Sequence, residues 1–397
     1  MKNLRQELNQ RHRQNLYRSR KVLHSPQGRE IILNGKKVLN FCSNDYLGLA
    51  NHNEVTKAFI DGCRQYGAGS GSAHLVNGHS QAHHALEEEL AEFCGFPRTL
   101  LFSTGYMANL GLAQSLFTAT ENHPPQHNRI VEDKLNHASL LDAAGISNSK
   151  LMRFLHRDYN SLHKKLERIK NHADTTAGET LVSSDAVFSM DGDEANIQAM
   201  SEQCQTHNAW LMLDDAHGFG VLGKHGRGSL NHQQISADDN TIYMATLGKA
   251  LGTAGAFIAG SEDLIEYLIQ TARCYIYTTA MPPAIAQATR TSLKLLSEEN
   301  WRQQALHKNI QYFKTLAAQA ELNLLPSSTA IQPVVIGETE KAVSISQQLF
   351  ERGIHIAAIR PPTVAQNTAR LRITLRADHS EQDIERLVSL IAECCLP

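Results

Sequence analysis

Trp210-Leu211-Met212-Leu213-Asp214-Asp215-Ala216-His217 and, further on, Ile242-Tyr243-Met244-Ala245-Thr246-Leu247-Gly248-Lys249 decide the fold. Each is an apolar run that ends in a polar cluster. Strands that are apolar throughout belong to a parallel sheet buried on both faces. In open α/β sheets, ligands bind beyond the carboxyl ends of the strands. The two runs therefore predict neighbouring buried strands that deliver Asp214, His217 and Lys249 to one place. A lysine amine there can form a Schiff base with an aldehyde cofactor. A carboxylate on the adjacent strand can keep a pyridinium nitrogen protonated. That pairing is what pyridoxal 5'-phosphate chemistry requires.

Working outward, β-rich runs alternate with helical patterns from about residue 100 onward. Strands are predicted at 99–102, 129–131, 151–155, 180–182 and 255–259, besides the two above. Helices are predicted at 107–117, 138–144, 162–169 and 197–207. This alternation implies a parallel sheet with helices on both faces and right-handed crossovers. After Pro282-Pro283, a long helical stretch covers 285–296 and 301–318. A smaller α+β unit follows, with strands at 332–336, 354–359 and 371–375 and helices at 342–350 and 381–392. The first forty residues predict an amphipathic helix and a hairpin over 31–38. They are too short to fold alone and should pack on another lobe. The expected division is an N-terminal arm over 1–50, a large α/β domain over 51–284, and a spine helix with a small domain over 285–397.

The chain has 397 residues, 42% of them apolar and 20% charged, as in an ordinary globular protein. A formal net charge of −2 gives no field that favours nucleic acid or an anionic membrane. The start is polar, with no signal-peptide core, and no apolar run reaches membrane-spanning length. Seven cysteines without a C-x-x-C pair argue against a disulfide framework or a thiolate zinc site. A reduced, cytoplasmic enzyme is expected. His83-His84 lacks the H-E-x-x-H spacing and reads as a solvated helix face, so no metal site is read from it. Gly67-Ala68-Gly69-Ser70-Gly71-Ser72 follows no buried strand, which makes it a poor dinucleotide loop.

Further motifs bring a resemblance. Phe41-Cys42-Ser43-Asn44-Asp45-Tyr46-Leu47-Gly48-Leu49, Leu135-Asn136-His137-Ala138-Ser139, Phe188-Ser189-Met190-Asp191-Gly192-Asp193, Asp214-Asp215-Ala216-His217-Gly218, Thr246-Leu247-Gly248-Lys249 and Ile359-Arg360-Pro361-Pro362-Thr363 occur in that order. With them the chain resembles the α-oxoamine synthases, a branch of the fold-type I pyridoxal-phosphate enzymes, over essentially its whole length. The resemblance implies an α/β fold, with a mainly parallel seven-stranded sheet sandwiched by helices and a smaller α+β C-terminal domain. It implies that Lys249 holds the cofactor covalently and then acts as acid and base at the substrate Cα. Asp214 would bind the pyridinium nitrogen and His137 would stack on the ring. Ser189 and His217 would bond the phenolic oxygen.

For the phosphate, the amides of Gly105 and Tyr106 lie between a predicted strand and helix, where donors and dipole favour an anion. The resemblance adds the hydroxyl of Thr246 and, from the partner subunit of a homodimer, Thr278 or Thr279. A substrate carboxylate calls for a forked cation. Strand alternation places Arg370 and Arg372 on one face, so periodicity does not choose between them. The resemblance selects Arg372, with Asn44 assisting and with Arg18 and Thr363 near the mouth of the site. Arg18 is expected in a basic helix running from Arg11 to Lys21. Relatives carry a glutamate-glycine pair where this chain has Asp185-Ala186, so Asp185 is left out of the site.

The reaction implied is decarboxylative condensation of L-alanine with a pimeloyl thioester, carried on coenzyme A or on an acyl-carrier protein. Glycine C-acetyltransferase or 5-aminolevulinate synthase chemistry stays open as an alternative. An aminotransferase and a non-catalytic protein of the same fold stand further off.

Overall fold

The structure, a computed structural model, describes residues 2–14, 16–118, 127–171 and 178–395. Strands β1 (Glu30–Leu33) and β2 (Lys36–Asn40) form an antiparallel hairpin. Asn34 and Gly35 at its tip both have positive φ, 49° and 77°. A two-residue turn whose twist matches the strands requires this conformation, which Asn-Gly supplies.

The large sheet contains β3 (Arg98–Phe102), β4 (Arg129–Asp133), β5 (Lys150–Phe154), β6 (Thr180–Asp185), β7 (Trp210–Asp214), β8 (Thr241–Thr246) and β9 (Ala256–Gly260). Their spatial order is β3-β9-β8-β7-β6-β4-β5. The pairs from β8 through β7, β6 and β4 to β5 are parallel. Strand β9 runs antiparallel to both neighbours. The link over 247–255 holds no helix, and a parallel return needs a crossover of a dozen residues or more. The chain therefore turns straight back, carrying Lys249 on the turn.

Both faces of this sheet are covered. Leu211, Leu213, Tyr243 and Phe257 point into one apolar cluster, and Met212, Ile242, Met244 and Ile258 into another. Strand alternation splits each continuous apolar run between the two layers. With both faces dry, a polar side chain within a strand needs a partner, as Ser183 Oγ finds in Glu132 Oε1 at 3.2 Å.

The C-terminal part adds β10 (Ile331–Gly337), β11 (Ile354–His355), β12 (Ala357–Ile359) and β13 (Ala369–Thr374). Strands β10, β13 and β12 make an antiparallel sheet. The single strand expected over 354–359 is broken. Its first half, β11, pairs in parallel with β2, so the N-terminal hairpin becomes part of a sheet with the C-terminal region. The helix Pro283–Glu298 opens on proline at its first turn, where a missing N–H costs nothing. It lies so close to the helix Asn53–Tyr66 that a Cβ on Gly62 would come within 2.8 Å of Ala284 Cα.

Two local expectations fail. The first helix spans Leu4–Arg13 and buries none of its residues, so no packing carries it further, and Arg18 lies beyond its end. His83 is buried, not solvated. Its Nδ1 accepts the Ser80 N–H at 3.1 Å and its Nε2 donates to the Met281 carbonyl at 2.8 Å. That fixes the start of the helix Gln81–Cys94.

Candidate active site

Strands β7 and β8 end side by side, with Asp214 paired in register to Met244. Asp214 is buried; its Oδ2 accepts from Asn109 Nδ2 at 2.9 Å and its Oδ1 from the Ala216 N–H at 3.2 Å. Asn109 sits on the helix Gly105–Leu116, so that helix orients the carboxylate. The next residue, Asp215, is turned away from this cluster. It accepts from the Ser229 N–H and Oγ at 2.7 and 2.6 Å and from Tyr243 Oη at 2.7 Å.

Lys249 Nζ lies 2.9 Å from His217 Nε2. On the far side of the ring, His217 Nδ1 lies 2.6 Å from Tyr46 Oη. Burial, chiefly, lowers the Lys249 amine to about 8; Asp214, Asp185 and Asp215 pull it back up, and Arg372 lowers it further. Burial, with the positive charges of Lys249 and Arg372, drives His217 well below the usual histidine range. The imidazole is therefore neutral and works as a hydrogen-bonding group. Among the described residues, Lys249 forms no ion pair. A buried amine facing a neutral ring suits a carbonyl carbon better than a structural salt bridge does.

The helix Gly105–Leu116 starts beside Thr246; a Cβ on Gly105 would fall 2.8 Å from Thr246 Cγ2. Thr104 caps it, its Oγ1 accepting the Met107 N–H at 3.1 Å and its carbonyl the Ala108 N–H at 3.1 Å. The amides of Gly105 and Tyr106 have no partner among the described residues. This is a ready cradle for an anion. Thr246 Oγ1 lies 3.5 Å from the Ala216 carbonyl, a long and weak bond.

Strand β13 supplies the cations. Arg370 and Arg372 are both buried on β13, and their partners separate them. Arg370 is ion-paired to Asp191. Arg372 donates Nε to the Ser189 carbonyl at 2.6 Å and Nη1 to Thr374 Oγ1 at 3.1 Å, and both Nη atoms lie 3.5 Å from Asn44 Oδ1. It has no carboxylate partner among the described residues. One arginine is thus neutralised and the other is left for a ligand.

The remaining predicted residues fall less tightly. His137 caps the helix Ala138–Ile146; its Nδ1 accepts the Ser139 N–H at 3.2 Å, and its ring is exposed. The Ser189 backbone meets Arg372, while its hydroxyl has no partner among the described residues. Arg18 and Thr363 are exposed. The Tyr17 carbonyl accepts from Arg360 Nη2 at 3.2 Å, which sets residue 17 beside the turn closed by the Thr363 N–H on the Arg360 carbonyl. Thr278 and Thr279 follow the short helix Arg273–Ile276 and share no hydrogen bond with Lys249, Asp214 or Thr246.

Several neighbours escaped the sequence reading. Asp185, set aside there, ends β6 in register with Asp214 and accepts the His137 N–H at 3.0 Å. Burial and the charge of Asp214 hold its pKa well above the usual carboxylate range. Arg376 is buried between Asp45 at 3.0 Å and Asp378 at 2.8 Å, which locks the Asn44 segment to the small lobe. The signal for Asp185 was its place shortly after the strand predicted over 180–182. Asn109 and Arg376 gave none, because their partners lie far off in sequence.

With this geometry in view, the chain can be placed among known proteins. Residues 36–391 match the family model for class I and II aminotransferases. The 8-amino-7-oxononanoate synthase of Saccharophagus degradans is 53% identical over 98% of this chain and 96% of its own length. That of Nitrosococcus oceani is 51% identical over 98% and 99%. The chain belongs to the 8-amino-7-oxononanoate synthase family. Among solved structures, serine palmitoyltransferase of Sphingomonas wittichii superposes with a TM-score of 0.89 at 27% identity, covering 99% of this chain and 96% of that one. The 8-amino-7-oxononanoate synthase of Francisella tularensis gives 0.76 at 31% identity, covering 90% and 97%. The fold is that of the fold-type I pyridoxal-phosphate enzymes, and the cofactor is pyridoxal 5'-phosphate. The residues present fit it: a buried amine with no ion pair, an oriented carboxylate on the next strand and a pair of helix-start amides without partners among the described residues.

Proposed function

We infer that this chain joins L-alanine to a pimeloyl thioester, releasing carbon dioxide and the thiol carrier and giving 8-amino-7-oxononanoate for biotin synthesis. The observation that carries the reading is one set of groups: Lys249 Nζ against neutral His217, Asp214 on the adjacent strand, and Arg372 without a carboxylate partner among the described residues. In this reading Lys249 holds the cofactor, Asp214 its ring nitrogen, and Gly105, Tyr106 and Thr246 its phosphate. His137 covers the ring, and Ser189 and His217 bond its phenolic oxygen. Pyridoxal phosphate, when bound, supplies an electron sink for the amino acid's Cα.

The chain's own residues do the rest. Arg372 grips the alanine carboxylate with two parallel bonds, supported by Asn44, and fixes which Cα bond faces the amine. Lys249, with its amine brought near neutral pH, takes the Cα proton. His217, neutral and held by Tyr46, keeps the amine in place when it is free. The new Cα–acyl bond forms as the thiol leaves; loss of carbon dioxide from the alanine carboxylate and return of a proton to Cα complete the reaction. Arg18 and Thr363, at the mouth formed by residue 17 and the 360–363 turn, meet the acyl substrate.

The proposal extends to assembly. A phosphate dianion needs more donors than two amides and Thr246, and Thr278 and Thr279 lie free of their own site. A homodimer in which this turn reaches the partner's phosphate accounts for both facts. The division into an arm over 1–50, a large domain over 51–284 and a small domain over 285–397 belongs to the same reading, as does residence in the cytoplasm. No described helix is long and apolar enough to cross a membrane.

The test pairs alanine, glycine and serine with pimeloyl and acetyl thioesters, and follows thiol release and carbon dioxide. Turnover confined to alanine with pimeloyl donors is expected; preference for glycine with acetyl-coenzyme A would overturn the substrate assignment. Mixing Lys249→Ala subunits with Thr278→Ala or Thr279→Ala subunits should restore part of the activity. A fully active monomer would defeat the dimer.

A further inference from the structure

Away from this site, on the outer side of the helix Gln81–Cys94, a second cluster of chemistry-bearing side chains stands around a cavity of about 300 Å³. His79, His84, Glu87 and Glu88 line it. One nitrogen of His79, one of His84 and one oxygen of Glu87 lie within 4.8 Å of one another. His79 comes from the segment before the helix, and the other two from its first turns. Sequence spacing therefore does not reveal the set.

The orientation of these groups is more telling than their proximity. His79 Nδ1 lies 2.9 Å from His74 Nδ1, and the His74 ring is stacked on Tyr275 with centroids 4.8 Å apart. When His79 Nδ1–H donates to His74, the lone pair of His79 Nε2 points outward. It faces Glu87 Oε2 at 3.8 Å, too long for a hydrogen bond. The other oxygen of Glu87 is fixed, accepting the Leu101 N–H at 2.9 Å. Two ligand atoms thus face each other across a gap, each steadied by a partner on its far side, as ligands of bound cations are. His84 is exposed, its Nε2 3.4 Å from Glu88 Oε1, and one of its ring nitrogens already lies within 4.8 Å of the other two ligand atoms. His83 is not part of the set, since both its nitrogens are engaged.

We propose that His79 Nε2, Glu87 Oε2 and a ring nitrogen of His84 bind a divalent first-row metal ion, with zinc best suited to the two-nitrogen, one-oxygen set. Zinc takes imidazole and carboxylate ligands at about 2.0–2.2 Å, with a water completing a four-coordinate shell. The cavity has room for that water. Occupancy would tie the His74–Gly78 segment to the helix Gln81–Cys94. Ala73 in turn bridges to Thr279, so the metal would stiffen the base of that turn.

The test uses the cofactor-loaded protein, stripped with a chelator and dialysed against zinc. One zinc ion per chain is expected, with a rise in melting temperature of a few degrees at saturating metal. His84→Ala removes an exposed ligand. Glu87→Gln keeps an acceptor for the Leu101 N–H and removes the charge. Each should weaken zinc binding at least about tenfold and abolish the thermal shift. His163→Ala is the control: it belongs to another histidine and glutamate group, in which His207 already bonds Gln203 and Glu167 at 2.9 Å. It should leave binding unchanged. Zinc binding that survives both His84→Ala and Glu87→Gln, that is lost in His163→Ala, or that is absent from the parent protein would overturn the proposal.

Discussion

The carboxyl end of the large sheet and the strand β13 of the C-terminal sheet place charges by different means. At the sheet end, Asp214 and Lys249 arrive through backbone alone. Register sets β7 beside β8, and the turn into β9 carries the lysine. On β13, backbone alternation delivers two equivalent arginines, and side-chain partners tell them apart. Arg370 is neutralised by Asp191, whereas Arg372 meets a carbonyl, two hydroxyls and an amide oxygen but no carboxylate among the described residues. A fixed strand end specifies position; an available charge is specified by what is missing around it.

The sheet end can be tested most severely at Lys249. Lys249→Ala should lower turnover by at least about 10³-fold, because both the covalent anchor and the Cα base are lost. The visible band of the bound cofactor should vanish on dialysis. In the cofactor-free protein, uptake of pyridoxal phosphate needs the neutral amine. Burial brings that amine to about 8, so the uptake rate should climb through about pH 8 rather than at the alkaline pH of a free lysine. The sign for stability follows: above about pH 8 the folded chain has lost a proton that the unfolded lysine still holds. Stability of the cofactor-free protein should rise with pH from there until the unfolded lysine also titrates, and Lys249→Ala should remove that slope. Uptake with an unchanged alkaline midpoint would assign another lysine.

Adjacent aspartates sharpen the same half of the comparison. Asp214→Asn should cut the rate of alanine Cα–H exchange, followed by NMR in deuterated water, by about 10²-fold. Asp215 is held by Ser229 and Tyr243, so Asp215→Asn should mainly lower the melting temperature and leave exchange within a few-fold. Reversal of these two outcomes would mean that the strand end presents the wrong carboxylate.

The arginines break or sharpen the other half. Arg372→Lys should raise the KM for alanine by about tenfold, since an ammonium cannot reproduce the fork. Arg370→Lys keeps a charge for Asp191 and should change that KM little. Equal effects would show that the ion pair with Asp191 does not reserve Arg370.

What was legible in the sequence follows the same division. The strands β7 and β8, the order of the motifs and the position of Lys249 could be read because local pattern and backbone geometry determine them. The break between β11 and β12 could not, since it depends on β2, far away in the chain. Nor could the burial of His83, which rests on the Met281 carbonyl. The choice of Arg372 came from resemblance; the ion pair of Arg370 with Asp191, which sets the two arginines apart, could not be read, since Asp191 lies far away in the chain. Asp185 was set aside because it is shorter than the residue of its relatives. Its strand end nevertheless brings it to the His137 amide.

Tyr46 joins the two regions and gives the smallest expected effect. It lies in the segment that Arg376 ties to the small lobe through Asp45, and its hydroxyl reaches His217 at 2.6 Å on the sheet side. Tyr46→Phe removes one hydrogen bond from a neutral imidazole and leaves the buried ring in place. A single bond of this kind contributes about 0.5–1.5 kcal/mol, so turnover should fall by about two- to tenfold. Because His217 faces the amine, the loss should appear in kcat, with the alanine KM little changed. A merely structural role would show as lower thermal stability with normal kcat. A change confined to the alanine KM would instead mean that Tyr46 acts through Asn44, whose Oδ1 lies 3.4 Å from the same hydroxyl, and so belongs to the arginine side of the site.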